Sequence, residues 1–430
     1  MCGAQQGIDS LTIIECLVFQ TDWYSMQTAS GTPRTSTAFL LVALAFVINM
    51  MGTTLPTAVY RYYVAAYGFT PTTITVIYAS YAFGVLAALL LVGNWSDQLG
   101  RKRMLTYGLL ASAASAIVFL ASSSLPGLMA GRLLSGVSAG IFTGTATVAV
   151  IEAAPAAWRN AATLAATASN MLGLGCGPVA GGLIVEYLPA PLRMPYAVHL
   201  VLVGIALLAV RSVPETARVA AHAKLRMQRI GLPKPVRGVF VPAALSGFAG
   251  FVVVGFFAAV APQLMRSALG FHSNVAIGLV VFLLFASSAL GQTVQSRFAP
   301  RWRQPAGCIG LIAGLLLVAL SAAASASSAL LAGTVLAGLG QGASFRAGLG
   351  ELTARSPADA RAAVTSAYFV VLYVAISLPI IGLGIATQRT DIRHATLLFA
   401  AATIALVIVA LGILLRGKHL ARFDGNALRE

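Results

Sequence analysis

Residues 72–122 read TTITVIYASYAFGVLAALLLVGNWSDQLGRKRMLTYGLLASAASAIVFLAS. Two apolar runs flank a short loop that holds every charge of the stretch: Asp97, Arg101, Lys102 and Arg103. A helix advances about 1.5 Å per residue, so a run of about 20 residues crosses the roughly 30 Å hydrocarbon core of a bilayer. Inside lipid every backbone group must find its partner within the chain, which makes an unbroken apolar run a helix. The stretch is therefore a helical hairpin that crosses a membrane twice.

Outward from it the same pattern recurs. Apolar runs of spanning length fall at 38–58, 72–93, 104–122, 126–149, 161–186, 194–213, 239–262, 273–294, 305–323, 326–350, 362–386 and 393–415. The chain is 58% hydrophobic and only 9% charged, too few charges to cover a soluble surface of this size. The fold class is thus an all-α membrane protein with twelve transmembrane helices. The longest polar break, 214–238, is basic and divides them into six and six. The organisation reads as a tail (1–37), a first bundle (38–213), a cytoplasmic linker (214–238), a second bundle (239–416) and a tail (417–430). Residues 1–37 lack the basic start and apolar core of a cleaved signal peptide. Met26 lies just upstream of the first helix and is read as an alternative native start, which N-terminal sequencing beginning at residue 1 would reject.

The net charge of +16 would suggest nucleic acid in a soluble protein, but here the charges sit in short loops between spans. With the N-terminus inside, 21 of the 28 Lys and Arg lie in cytoplasmic segments. Only five lie outside: Arg61, Arg193, Arg266, Arg389 and Arg393. Lys and Arg collect on the cytoplasmic side, so both termini are placed there. Cys2, Cys16, Cys176 and Cys308 show neither metal nor disulfide spacing, and no metal or cofactor is expected.

The halves repeat each other. Leu134, Gly136, Gly140, Pro155, Arg159 and Gly182 match Leu336, Gly338, Gly342, Pro357, Arg361 and Gly384 at a constant offset of 202. Both copies begin at an even-numbered helix, so the repeats run parallel. Parallel six-helix repeats predict two pseudo-symmetric bundles with a solute site between them near mid-membrane.

The loop Gly93-Asn-Trp-Ser-Asp97-Gln-Leu-Gly100-Arg101-Lys102-Arg103 resembles the loop 2–3 pattern of the major facilitator superfamily, G-x-x-x-D-x-x-G-R-[KR]-[KR]. The glycines permit close packing and a tight turn. Asp97 either pairs with Arg101 or sits at a helix N-terminus, whose dipole favours an anion. The resemblance implies that this loop latches the halves together in the outward-facing state. The matching loop has Gln295 in place of the acid, so any latch is expected to be asymmetric.

Helix four, Arg132-x-x-x-Gly136-x-x-x-Gly140, resembles a second pattern of that family. Its glycines, four apart, open one groove for a neighbouring helix. The resemblance implies a part for Arg132 in proton coupling; snorkelling to the headgroups is the plainer reading. Helix five carries Gly173, Gly177, Pro178, Gly181 and Gly182 in the pattern G-x-x-x-G-P-x-x-G-G, which the resemblance associates with proton-driven antiporters, above all drug exporters. Val213-Pro214-Glu215-Thr216 resembles a further junction of the superfamily. The likeness covers about residues 38–416.

Ionisable groups inside a membrane are costly and mark function. Helix one has none and offers Asn49, Thr53 and Thr54. Glu152, Glu186 and Glu351 read as boundary charges or proton carriers, His199 as a packing residue or a titrating one. Arg346, after Gln341 and Phe345 in helix ten, suits an anionic solute, an inter-bundle partner or a snorkelling role. Tyr78, Tyr81, Tyr368 and Tyr373 are candidates to line the path. No nucleotide-binding loop or hydrolase motif is present.

These readings predict a monomeric secondary transporter in a bacterial inner membrane, with the lipid bilayer, a small organic solute and protons as its partners and no nucleic acid. The first expectation is proton-coupled efflux by antiport. The alternative is uptake of a sugar, organic anion or amino-acid-like solute by symport or uniport, which the missing acid in helix one favours. A receptor or a membrane-embedded enzyme is the distant third.

Overall fold

A computed structural model describes residues 33–93, 95–217, 231–357 and 360–427, and every regular element among them is helical. The proposed start at Met26, Cys2, Cys16 and most of the basic linker lie outside the described residues. Among the described residues, twelve helices are long and apolar enough to span a membrane. They are α1 (Ser36–Tyr67), α2 (Pro71–Val92), α3 (Arg101–Ala121), α4 (Leu125–Ala153), α5 (Ala161–Tyr187) and α6 (Met194–Ser212), then α7 (Val236–Ala259), α8 (Asn274–Arg297), α9 (Pro300–Ala324), α10 (Ser327–Arg355), α11 (Arg361–Arg389) and α12 (Ile392–Arg416).

Several helices outrun their apolar stretches. The run expected at 38–58 continues to Tyr67 and stops at Gly68, whose φ of 67° lies in the left-handed region that favours glycine. The tenth, expected to end at 350, reaches Arg355. Hydropathy fades where a helix leaves lipid, yet the backbone ladder continues into the headgroup layer. Thr70, Ser124 and Ser273 cap α2, α4 and α8 by accepting from backbone N–H groups.

Neighbour relations repeat. α1 packs on α4, α5 and α6, and α7 on α10, α11 and α12. α4 lies against α2 and α3, and α10 against α8 and α9. Between the halves the principal pairings are α5 with α8 and α2 with α11. Adding six to each helix number maps this set onto itself, and an even number keeps both repeats in the same orientation. The glycines carry the symmetry. A methyl on Gly136 would strike the carbonyl of Tyr81 in α2, and one on Gly338 the carbonyl of Leu284 in α8. Gly182 is pressed on Asn274 of α8, and Gly384 on Thr75 of α2.

Candidate functional site

The halves meet tightly at the end where α2 and α8 begin. Glu186, closing α5, accepts from the backbone N–H of Asn274 at 2.6 Å and of Val275 at 3.2 Å, and from Ser273 Oγ at 3.1 Å. A carboxylate from one half thus caps a helix of the other. Thr72 Oγ1 donates to Gln388 Oε1 at 2.6 Å across the second pairing.

At the opposite, basic end the halves part. A cavity of about 590 Å³ opens between Thr143, Thr147 and Asn170 on one side and Phe345, Arg346 and Arg361 on the other. Among the described residues no ion pair joins the halves. Deeper, a chamber of about 80 Å³ has Thr54, Tyr78, Tyr81 and Arg132 on one wall and Phe251, Phe285, Gln341 and Tyr373 on the other. Gln341 Oε1 accepts from Ser288 Oγ at 2.5 Å, and the rings of Tyr81 and Tyr373 meet across the seam, tilted by 58° with centroids 6.4 Å apart.

Arg132 does not snorkel: it is 1% exposed. The helix of α1 is interrupted at Leu55, ahead of Pro56, which has no N–H to offer the carbonyl four residues back, and the carbonyl of Thr53 lies at this break. Arg132 Nη1 donates to that carbonyl at 2.6 Å, and Nη2 to the carbonyl of Tyr78 at 3.5 Å. Its guanidinium lies 4.7 Å above the Tyr81 ring and 5.7 Å from that of Tyr78. Nε has no partner, and among the described residues no salt bridge reaches Arg132. Dipoles and π faces offset part of a desolvation cost of several kcal/mol. The remainder favours an anion in the adjoining chamber.

The fifth-helix pattern serves two contacts. Gly173, Gly177 and Gly181 face α1, meeting Val47 and Met50, then Met51 and Thr54, then Leu55 and Ala58. Pro178 and Gly182 face α8. Proline lacks an N–H, which strands the carbonyl of Leu174 one turn back. Thr54 Oγ1 supplies the missing donor at 2.7 Å.

In loop 2–3, Asp97 pairs with Arg101 at 2.6 Å. Arg101 also meets Glu152 at 3.2 Å and Ser96 Oγ at 2.7 Å. The N-terminus of α3 is taken by Glu215, which accepts from the N–H of Arg101 at 2.8 Å and of Lys102 at 3.1 Å. Gly100, at φ 99°, turns the chain into that cap. These partners belong to the first half and the start of the linker that follows it, and the side chain of Asp97 is 69% exposed at the mouth of the basic-end cavity.

The other sequence candidates separate. Tyr78, Tyr81, Tyr373 and Gln341 line the chamber, and Arg346 the wider cavity. Tyr368 packs behind Phe345 instead, in a cluster with Val236 and Leu352. Asn49 and His199 are buried within the first half, Asn49 accepting from Ser138 Oγ at 2.8 Å and His199 Nε2 lying 3.1 Å from Ser112 Oγ. Glu351 pairs with Arg355 at 3.2 Å. Phe251 and Phe285 carry no mark in the sequence, and neither Glu186 nor Glu215 was legible there as a helix cap. A capping acid has a sequence signature only when its helix is adjacent in the chain, and both of these caps are long-range.

Comparison with known proteins bears on this geometry. Residues 42–379 match the family described as Major Facilitator Superfamily. Over 118 residues the chain is 30% identical to Multidrug resistance protein 2 of Bacillus subtilis, covering 27% of this chain and 29% of that protein. Over 113 residues it is 31% identical to a triacylglyceride transporter of Mycolicibacterium hassiacum, covering 26% and 21%. The chain therefore spans less than a third of these curated relatives. A bacterial homolog of the human lysosomal transporter Spinster, in an inward-facing and unoccupied conformation, superposes with a TM-score of 0.69 at 15% identity over 90% of this chain and 98% of that one. The human organic anion transporter MFSD10 gives 0.62 at 17% identity over 89% and 100%. At such identities the likeness is one of fold.

Proposed function

The chain belongs to the Major Facilitator Superfamily and is a multi-pass membrane transporter, not an enzyme; on that premise we propose that it exports a small organic anion with an apolar, aromatic-compatible body. One observation carries the reading. The guanidinium of Arg132 lines the chamber between the halves, facing aromatic rings, and the described acids all lie at helix ends or in loops. An anion there gains a charge-assisted partner in a dry site, worth more than a neutral hydrogen bond. A cation gains rings but meets a like charge.

The basic end is assigned to the cytoplasm by its Lys and Arg, which makes this conformation inward-facing in a bacterial inner membrane. Solute enters the chamber from the basic-end cavity. The halves then rock, the far-end contacts release, and Asp97 is carried toward the start of α11. Export in exchange for protons is supported by the fifth-helix pattern and by the name of the Bacillus relative. Uptake remains the second reading, favoured by the lack of a described carboxylate in the chamber to carry the proton.

Purified protein in liposomes should move naphthalene sulfonate, a membrane-impermeant aromatic anion, and not tetraphenylphosphonium. Movement of the cation alone would overturn the proposal. Inside-out vesicles with an imposed pH gradient distinguish export against protons from entry with them.

A further inference from the structure

The far end holds a second cavity, of about 350 Å³, between the halves and apart from the central chamber. Two arginines line it: Arg61, on the last turns of α1, and Arg266, on the short helix Ala261–Ser267 that follows α7. They come from opposite halves and both donate to one oxygen, Oδ1 of Asn274, Arg61 Nη1 at 3.5 Å. A neutral amide oxygen cannot balance two guanidiniums. The neighbouring carboxylate, Glu186, already accepts from Ser273, Asn274 and Val275. Burial pushes the pKa of Arg266 down, and the Arg61 charge pushes it the same way. Glu186 offsets Arg266 in part, but two like charges beside an open cavity with one acid between them leave an excess of positive charge.

We propose that Arg61 and Arg266 form an anion-binding subsite at the far mouth of the pathway, taking a carboxylate or phosphate group between the two halves. Planar guanidinium forks suit the paired oxygens of either group. The oxygens would come from a departing solute or from a lipid headgroup, since Arg61 lies beyond the apolar stretch of α1. An anion bound there ties α1 to the helix after α7 and adds to the α5–α8 closure.

The test uses the full chain. In neutral detergent, inorganic phosphate is titrated while thermal unfolding is followed. The wild type should be stabilised, and Arg61→Gln with Arg266→Gln should shift the midpoint to roughly tenfold higher phosphate, the loss of about one charge-assisted contact. In a second arm, lipid nanodiscs of phosphatidylcholine alone are compared with discs containing phosphatidylglycerol. A response to phosphate identifies a free anionic group, a response to phosphatidylglycerol alone identifies the headgroup, and either supports the subsite. Arg61→Gln alone, at an exposed position, covers the case in which the double variant does not fold. Arg132→Gln should keep the full response, so failure of the central anion reading and failure of this one are told apart. Equal responses in wild type and variants in both arms would overturn the proposal.

Discussion

Arg132 Nη1 donates to the carbonyl oxygen of Thr53 at 2.6 Å, joining α4 to the break in α1. The charge is not an isolated intruder in lipid. It bonds a carbonyl beside the break in α1 and still lines the chamber. Arg132→Lys keeps the charge but loses the fork that reaches two carbonyls and lies on Tyr81. Transport of naphthalene sulfonate is expected to fall about tenfold or more, the effect of losing one such contact, while folded yield is retained. Wild-type transport in that variant would remove Arg132 from the site.

Thr54 and Pro178 form a second such pair. Thr54→Val keeps the shape and removes the donor to the Leu174 carbonyl, which should cost about 1–3 kcal/mol for a buried acceptor left unmade. Pro178→Ala restores a backbone N–H to that carbonyl. Thermal unfolding of the double variant should therefore recover most of the loss from Thr54→Val, and simple additivity of the two changes would refute the pairing.

Asp97 faces the cavity mouth, and Arg101 keeps Glu152 and Ser96 if that acid is neutralised. Asp97→Asn should leave expression and melting temperature unchanged and slow transport several-fold, because the acid acts when the basic end closes. A loss of folded protein in step with activity would make the residue structural only.

Gly182 lies on the backbone of Asn274, so Gly182→Ala should wedge the far end apart. The variant should expose the α5–α8 seam to a membrane-impermeant thiol reagent at an introduced cysteine, whereas Gly204→Ala, which meets nothing within 4 Å, should not. Equal labelling of the two variants would show that this contact does not hold the gate.

Much of this was legible in the chain and some was not, for identifiable reasons. The twelve spans and the parallel repeat follow from apolar run length and from the 202-residue register, both of which survive without coordinates. Helix ends did not, because hydropathy reports the lipid and not the backbone: α1 continues nine residues past its apolar run, through Arg61 to Tyr67. Arg132, close to the start of its helix, suited snorkelling on position alone. Its partners are carbonyls on two other helices, which a run of apolar residues does not announce. Tyr368 and Tyr373 looked alike in sequence, yet only Tyr373 reaches the chamber, since facing is undefined in a helix that is apolar all round. Glu186 read as a boundary charge or proton carrier and Glu215 as part of a junction motif, and only the fold shows which helix each one caps.

The most direct test of the account is a reversible lock across the far-end seam. In a chain with its native cysteines replaced, Glu186→Cys and Asn274→Cys are introduced together, and naphthalene sulfonate transport is followed in liposomes before oxidation, after oxidation and after reduction. The account predicts that oxidation stops transport and reduction restores it, because solute must leave between α5 and α8. Undiminished transport through the oxidised protein would contradict it.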